Sequence, residues 1–235
     1  MPLRSIESRR LYRQIAEQLR QLIAAGEFPS GERLPAERDL AAQLRVSRPS
    51  VREALIALEV EGLIEIRGGS GVYVRSKPNG ARPAPDGEWG PLELIRARAL
   101  IEREVAAQAA ELATRKQIAA IEEALASMEA EAAAGQVPSK SDRAFHVAVA
   151  EAAGNGVLVE LVQRFWDARN GKLFQQLGNH FESPRAWRAA IDEHRAVLVA
   201  IRKRDAKAAR QAMQHHMDKA HARFSASWRR ARRAD

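Results

Sequence analysis

The first 75 residues are divided into short segments whose apolar spacing changes from a helical period to that of β-strands. Three helical segments come first, and the third has Ser47 as its expected N-cap and Pro49 in its first turn, where proline is tolerated. Two short strands follow, joined by the glycine-rich turn Gly68–Gly71. This order predicts a winged helix-turn-helix in which a small β-hairpin is the wing. The predicted helices lie near residues 11–23, 36–44 and 48–61, and the predicted strands at 63–67 and 72–74.

The remainder of the chain has helical periodicity only. Residues 76–91 contain four of the ten prolines and no hydrophobic period, so they are predicted to be a linker. Residues 92–228 show helical segments and no strand pattern, which predicts an all-α antiparallel helical bundle. The fold class is therefore mainly α, with residues 1–75 as the winged helix-turn-helix and 229–235 as a basic tail. Six helical segments are expected in the bundle, near 92–114, 115–134, 140–153, 156–177, 184–203 and 205–227.

Composition excludes several classes of protein and of site. The chain has no cysteine, so disulfides and thiolate metal ligands are excluded, and any metal must use histidine and carboxylate ligands. No apolar run approaches the roughly 20 residues that cross a bilayer, and the amino terminus has no hydrophobic signal core. We therefore expect a cytoplasmic protein with no membrane partner. The net charge of +8 favours a polyanionic partner without proving one.

The start of the third predicted helix concentrates hydrogen-bond donors. In a helix-turn-helix the second helix of the pair presents its first turns to base edges in the major groove. Arg48 and Arg52 are four residues apart and therefore project from one face, and Ser47 and Ser50 can reach a phosphate or a base. Arg38, on the preceding helix, is placed for a phosphate or a neighbouring base. The alternative is that these are ordinary exposed side chains of a small helical domain.

Residues 9–75 resemble a known family of regulators. The motifs PAERDLA, VSRPSVREAL, LEVEGL and GSG look like those of the GntR family of bacterial winged-helix regulators. The resemblance implies double-stranded operator DNA as the partner. One departure is Arg45, where the family usually has glycine; a left-handed backbone there would cost about 1 kcal/mol in strain. The residues that the resemblance assigns to operator contacts are Arg38, Ser47, Arg48, Ser50, Arg52 and Gly69.

Three histidines in the carboxy-terminal half fall on the apolar faces of predicted helices. Asp142 and His146 are four residues apart and share one face, and His194 and His216 lie in register with apolar neighbours, whereas His215 should face outward. One carboxylate and three imidazoles aimed at a bundle interior can coordinate a first-row divalent metal and leave positions open for water or an anion. The alternative is that each is a core histidine satisfied by a hydrogen bond. Burying Asp142 would also require a compensating group.

Residues 92–220 are similar to the FCD ligand domain of the GntR subgroup that includes the fatty-acid regulator. The matching motifs are Arg98-x3-Glu102, Asp142-x3-His146 followed by Gly154-Asn155, Glu193-His194-Arg195, and Met213-x2-His216. The resemblance implies a divalent metal ion, zinc, nickel or manganese, on the residues Asp142, His146, His194 and His216. The fatty-acid regulator lacks this metal, so the presence of all four ligands favours a small carboxylate effector beside it. Arg98 is the expected clamp, because guanidinium binds carboxylate through two hydrogen bonds.

Together these expectations describe a homodimeric transcription regulator, a repressor, that binds operator DNA sequence-specifically and responds to a small organic acid. Dimerisation is expected because operator half-sites mirror a two-fold axis. An enzyme could instead use the carboxylate and histidines to activate water or dioxygen, but it would leave the first 75 residues unexplained, so we expect no catalytic activity. A chromosome-organising protein would use the bundle for assembly alone and would bind DNA regardless of metal and metabolites.

Overall fold

The computed structural model describes residues 10–75 and 88–226. These residues divide into two compact units, one ending at Gly90 and the other extending from Pro91 to Ala226. The predicted fold class is confirmed, with three helices and a hairpin in the first unit and helices in the second. The domain limits stay a prediction, and the tail at 229–235 and most of the linker lie outside the described residues. No helix in the described ranges is long and apolar enough to cross a membrane.

The amino-terminal unit follows the predicted order of elements. These are α1 (Leu11–Ala24), α2 (Glu37–Leu44), α3 (Arg48–Val60), β1 (Ile64–Arg67) and β2 (Gly71–Val74). Ser47 caps α3 as predicted, because its side-chain oxygen accepts a hydrogen bond from the backbone N–H of Ser50. Residues 50–58 of α3 are all buried, so this helix is the centre of the unit. The two strands pair antiparallel, and their hairpin follows α3 directly.

The turn between α2 and α3 holds Arg45 in a strained backbone conformation. Its φ is 53° and its ψ is 42°, which is the left-handed conformation considered from the sequence. The backbone N–H of Arg45 bonds to the carbonyls of Ala41 and Ala42 and so closes α2. A residue with a β-carbon is strained in this region, whereas glycine is not.

Arg45→Gly is therefore expected to raise the free energy of unfolding of this unit by about 1 kcal/mol. Calorimetric unfolding of the full chain measures this as a transition that moves up by a few degrees. Gln43→Gly is the matched control, because Gln43 is an exposed residue inside α2 and glycine weakens a helix interior. A transition that moves down for both variants would contradict the strain at Arg45.

Seven helices form the carboxy-terminal unit in the part of the chain that is described, where the sequence predicted six. They are α4 (Pro91–Leu112), α5 (Arg115–Ala133), α6 (Ser139–Ala152), α7 (Gly156–Ala168), α8 (Lys172–Phe181), α9 (Pro184–Arg202) and α10 (Ala206–Phe224). The prediction of a single helix at 156–177 is wrong, because the helical structure is interrupted between α7 and α8. Backbone N–H groups of residues 169–171 bond to carbonyls three residues earlier, and Gly171 then has the extended backbone of an N-cap. Gly178, predicted to lie in the next break, is inside α8.

Four helices of this unit bring the predicted sensing residues together. α4 packs against α6, α9 and α10, and α10 packs against α9. Arg98 lies on α4, Asp142 and His146 on α6, His194 on α9 and His216 on α10. All five side chains are buried. The packing of these helices therefore determines the geometry of the candidate site.

Candidate functional site

Three imidazoles and one carboxylate meet in the interior of the carboxy-terminal unit. One ring nitrogen each of His146, His194 and His216 lies within 4.8 Å of the other two. The Nε2 atoms of His146 and His194 are 3.1 Å apart. Oδ1 of Asp142 lies 3.0 Å from Nε2 of His194 and 3.5 Å from Nε2 of His146. The structure thus brings together the four residues that were predicted as metal ligands.

The outer nitrogen of each imidazole faces a hydrogen-bond acceptor. The acceptors of Nδ1 are the backbone carbonyl of Ala190 for His194, at 2.6 Å, the carboxylate of Glu193 for His216, at 2.9 Å, and the carboxylate of Glu102 for His146. An acceptor at Nδ1 keeps the proton on that nitrogen and leaves Nε2 with a lone pair. Metal-binding histidines in proteins are oriented in the same way.

The converging atoms fit a divalent cation. With Nδ1 protonated, Nε2 of His146, Nε2 of His194 and Oδ1 of Asp142 all present lone pairs, which repel unless a proton or a metal ion lies among them. Oδ1 of Asp142 is buried and accepts no hydrogen bond of normal geometry from the described residues. Two ligands that are each about 2.0–2.1 Å from one ion, at roughly 90–110°, lie about 2.9–3.4 Å apart. The separations of 3.0 and 3.1 Å fall in this interval, and the 3.5 Å between Oδ1 of Asp142 and Nε2 of His146 lies just above it.

Burial and neighbouring charges set the protonation of these groups. Burial, together with the nearby His194 and His146, holds the pKa of His216 well below its usual value, so this ring is neutral at pH 7. Burial opposes ionisation of Asp142, but the adjacent imidazoles and the charge of Arg169 outweigh it and hold the pKa of the carboxyl well below its usual range. Burial lowers the pKa of His146, but the adjacent carboxylates of Glu102 and Asp142 raise it by more, so the pKa of this imidazole lies above its usual value. A metal bound at Nε2 would displace the extra proton from this ring.

Arg169 supplies the charge that compensates the buried Asp142. Its Nη1 donates to Oδ2 of Asp142 at 2.9 Å, and its guanidinium lies 4.2 Å from the ring centroid of Trp166. Arg98, the predicted effector residue, lies 4.5 Å from the same ring. Nε of Arg98 donates to Glu102 at 2.6 Å. Two largely buried guanidinium groups therefore stand beside the four predicted ligands.

A cavity adjoins this cluster. Arg98, Asp142, His194 and His216 line it, so the predicted effector residue and three predicted metal ligands share one cavity. Other lining residues were not identified as site residues from the sequence: Arg169, Phe174, Phe181, Glu182, Trp187, Arg223 and Phe224. Most lie at or near helix ends, where apolar spacing carries no signal for a site. A concave, partly aromatic cavity with a few charged groups is typical of small-molecule sites.

The predicted DNA-contacting residues lie in the amino-terminal unit. Arg38, Arg48, Arg52 and Gly69 line one groove formed by α2, α3 and the hairpin. The side chains of Arg38 and Arg48 are 83% and 53% exposed, and Gly69 is exposed in the turn of the hairpin. This groove therefore presents positive charge from two helices and a turn without side-chain bulk.

The remaining predicted residues are engaged within the unit. Oγ of Ser47 and Oγ of Ser50 lie 2.8 Å apart at the start of α3, outside the residues that line the groove. Arg52 has a side chain that is 2% exposed and an ion pair of 2.7 Å with Glu37. Glu37 was not identified from the sequence, where an acid in the first turn of a helix indicates only a favourable helix dipole. Contact of Arg52 with DNA stays a prediction.

Two regions of the chain match known protein domains. Residues 11–74 match the bacterial regulatory proteins of the gntR family, and residues 93–219 match the FCD domain. The chain belongs to the GntR family. Members of this family are transcriptional regulators that bind operator DNA, and they are not enzymes.

GntR regulators with similar sequences are known in Escherichia coli. The chain is 38% identical over 219 residues to the Uxu operon transcriptional regulator of strain K12, covering 90% of this chain and 85% of that protein. It is 37% identical over 220 residues to the Exu regulon transcriptional regulator of strain K12, with 90% and 83% covered. The solved structure of Escherichia coli McbR/YncC has a TM-score of 0.51 at 22% identity, covering 92% of this chain and 97% of that one, and shares the fold.

The two matched regions contain the two candidate sites, one for DNA binding and one for a metal ion. The winged helix-turn-helix unit is the DNA-binding part of a GntR regulator. FCD domains often bind metal, and the FCD region of this chain contains the three histidines that could hold one.

Proposed function

We propose that the chain is a cytoplasmic, homodimeric repressor whose affinity for operator DNA is modulated by a small carboxylate metabolite bound beside a divalent metal. The observation that carries this proposal is the convergence of Asp142, His146, His194 and His216 beside a cavity that Arg98 also lines. Nitrogen and oxygen donors without sulfur suit zinc, nickel or manganese. The proposed domains are 1–75 for DNA binding, 76–91 as linker, and 92–228 for ligand binding and dimerisation.

The residues of the cavity provide what a carboxylate ligand needs. A divalent ion held by the three imidazoles and Asp142 would supply positive charge and coordination positions for the ligand or for water. The guanidinium of Arg98 is held by Glu102 and can donate paired hydrogen bonds to carboxylate oxygens. Arg169 adds a second positive charge on the same cavity. The aromatic side chains that line the cavity would displace water around a bound ligand, which would strengthen these interactions.

The DNA contacts are assigned to the groove of the amino-terminal unit and to the start of α3. Arg48 is exposed in the first turn of α3 and is assigned to a base edge, and Arg38 is assigned to a phosphate. A second copy of the chain would place the same residues on a second half-site. Effector binding would change operator affinity through coupling that is typically about 1–3 kcal/mol. The full assigned set is Arg38, Ser47, Arg48, Ser50, Arg52 and Gly69.

Arg98→Lys is expected to weaken effector binding about tenfold or more while metal content stays unchanged. Lysine keeps the charge that pairs with Glu102 but cannot form two parallel hydrogen bonds with a carboxylate. A panel of lactate, malate, succinate and citrate is first tested by thermal shift with zinc, nickel or manganese, since a ligand of the folded state raises the melting temperature. The stabilising acid is then added to the protein bound to operator DNA.

The operator experiment separates the competing functions. A repressor controlled by a carboxylate releases DNA when the acid is added with metal, and does not respond after chelation. A chromosome-organising protein would bind DNA equally under all of these conditions, and that result would contradict the proposal. Arg195→Lys is the control for Arg98→Lys, because Arg195 is half-exposed on α9 and pairs with Glu129 and Asp192, away from the cavity.

A further inference from the structure

One buried carboxylate of α2 binds both arginines at the start of α3. Oε1 of Glu37 accepts a hydrogen bond from Nε of Arg48 at 3.0 Å. Oε2 accepts from Nε of Arg52 at 2.8 Å, and Nη2 of Arg52 lies 2.7 Å from the same oxygen. The Glu37 side chain is only 7% exposed although it is the first residue of its helix. Both oxygens are thus engaged by arginines to which we assign operator contacts.

A carboxylate in this place is unfavourable for DNA binding in general. Non-specific affinity for DNA depends on protein cations that neutralise phosphates, and a carboxylate close to those cations repels the phosphates. A buried ion pair is also weak support for the stability of a fold, because desolvation of the two charges offsets their attraction. What the carboxylate provides is a fixed arrangement of two long side chains that would otherwise repel each other and sample many rotamers.

We propose that Glu37 is a positioning residue for operator recognition, which holds the guanidinium groups of Arg48 and Arg52 in one arrangement before DNA binds. The proposal rests on the operator contacts assigned above. Glu37 acts through the arginines and contacts no DNA itself. Because the side chains are ordered in advance, the specific complex loses less rotamer freedom when it forms. Glu37 therefore determines discrimination between sequences more than overall affinity.

Glu37→Gln is expected to lower the ratio of operator affinity to non-specific affinity about tenfold or more, because two side chains must then be ordered during binding. Affinity for non-specific DNA is expected to stay equal or to rise, because one negative charge is removed beside the arginines that face phosphates. A purely structural role would move the measurements differently: both affinities would fall together with the melting temperature.

The measurement uses the full-length protein and two labelled duplexes of equal length. One is an operator selected from random DNA by the wild-type protein, and the other is its scrambled sequence, both titrated by fluorescence anisotropy at one salt concentration. Asp39→Asn is the matched control, because it removes the same charge from the same first turn, and the Asp39 carboxylate accepts a hydrogen bond from the exposed Arg38 at 3.2 Å. It is expected to keep the ratio. Glu37→Asp keeps the charge but withdraws the carboxylate, and it is expected to lower the ratio.

The outcomes separate this inference from the proposed operator contacts. If Arg48→Ala lowers the affinity ratio while Glu37→Gln and Glu37→Asp leave it unchanged in folded protein, the positioning role is overturned and the contact stands. If Arg48→Ala also leaves the ratio unchanged, the operator contact is wrong and the positioning role falls with it. If Glu37→Gln does not fold, Glu37→Asp decides by the same criterion. A lower ratio with an unchanged melting temperature supports the proposal.

Discussion

Replacement of His194 by alanine is expected to abolish metal binding by the full chain, together with the chelator-sensitive part of its thermal stability. Nε2 of His194 lies 3.1 Å from that of His146 and 3.0 Å from Oδ1 of Asp142, so its loss removes a central ligand. A metal present at about a thousand times its dissociation constant stabilises a folded protein by about 4 kcal/mol. For a protein of this size, that corresponds to roughly 8–16 °C in melting temperature.

The measurement compares melting temperatures with and without chelator, and elemental analysis gives the metal content. His194 is fully buried, so alanine also destabilises the metal-free protein by removing packing. The difference between metal-loaded and chelated protein isolates the contribution of the metal. His215→Ala is the control, because His215 is exposed beside His216 on α10. The metal centre is contradicted if the wild-type protein contains no metal and melts identically in chelator and in zinc, nickel or manganese.

Arg48→Ala is expected to lower operator affinity about 5- to 150-fold for each half-site while the protein stays folded. A bidentate pair between arginine and guanine contributes about 1–3 kcal/mol of discrimination. The Arg48 side chain is 53% exposed, so its truncation removes little packing. Anisotropy titration with the selected operator measures the loss, and in a dimer both half-sites contribute to it.

Two comparisons show whether the loss concerns base recognition. Arg164→Ala is the control for charge, because its side chain is 69% exposed on α7 in the other unit, and it is expected to leave operator affinity unchanged. Equal losses on operator and scrambled DNA would instead indicate a phosphate contact at Arg48. If Arg48→Ala binds the operator as tightly as the wild-type protein does, the recognition residues are assigned wrongly.

Local chemistry made most of the fold predictable. Ser47 and Pro49 marked the start of α3, because a serine oxygen and a residue without an N–H both suit a first helical turn. The break between α7 and α8 was missed because apolar side chains continue at helical spacing on both sides of a short interruption. At Gly178 the sequence predicted a break where the helix continues. A single glycine costs a helix only about 1 kcal/mol, and packing outweighs that cost.

The candidate ligands could be predicted, but their partners could not. Asp142 and His146 share a face because of a local spacing, and burial on an apolar face predicted the direction of His194. Their hydrogen-bond partners depend on which helices pack together, and this information is non-local. Arg169, which compensates Asp142, lies at the interruption between α7 and α8 that the apolar period concealed. No sequence pattern indicated its direction.

The same limit applies to the predicted DNA interface. A spacing of four residues correctly placed Arg48 and Arg52 on one side of α3, and both contact Glu37. Their exposure is very different, because Arg52 is buried beside Glu37 of α2 whereas the side chain of Arg48 is about half exposed. Periodicity within one helix carries no information about such covering by neighbouring elements.

The His–Asp cluster has a consequence for how distant parts of the chain are connected. The protein has no cysteine, so no covalent bond joins segments that are far apart in sequence. An ion held by residues 142, 146, 194 and 216 would tie α6, α9 and α10 together and close a long loop, which restricts the unfolded chain. The ion would act as a reversible cross-link between the three helices, and its concentration in the cell would determine how often this cross-link is present.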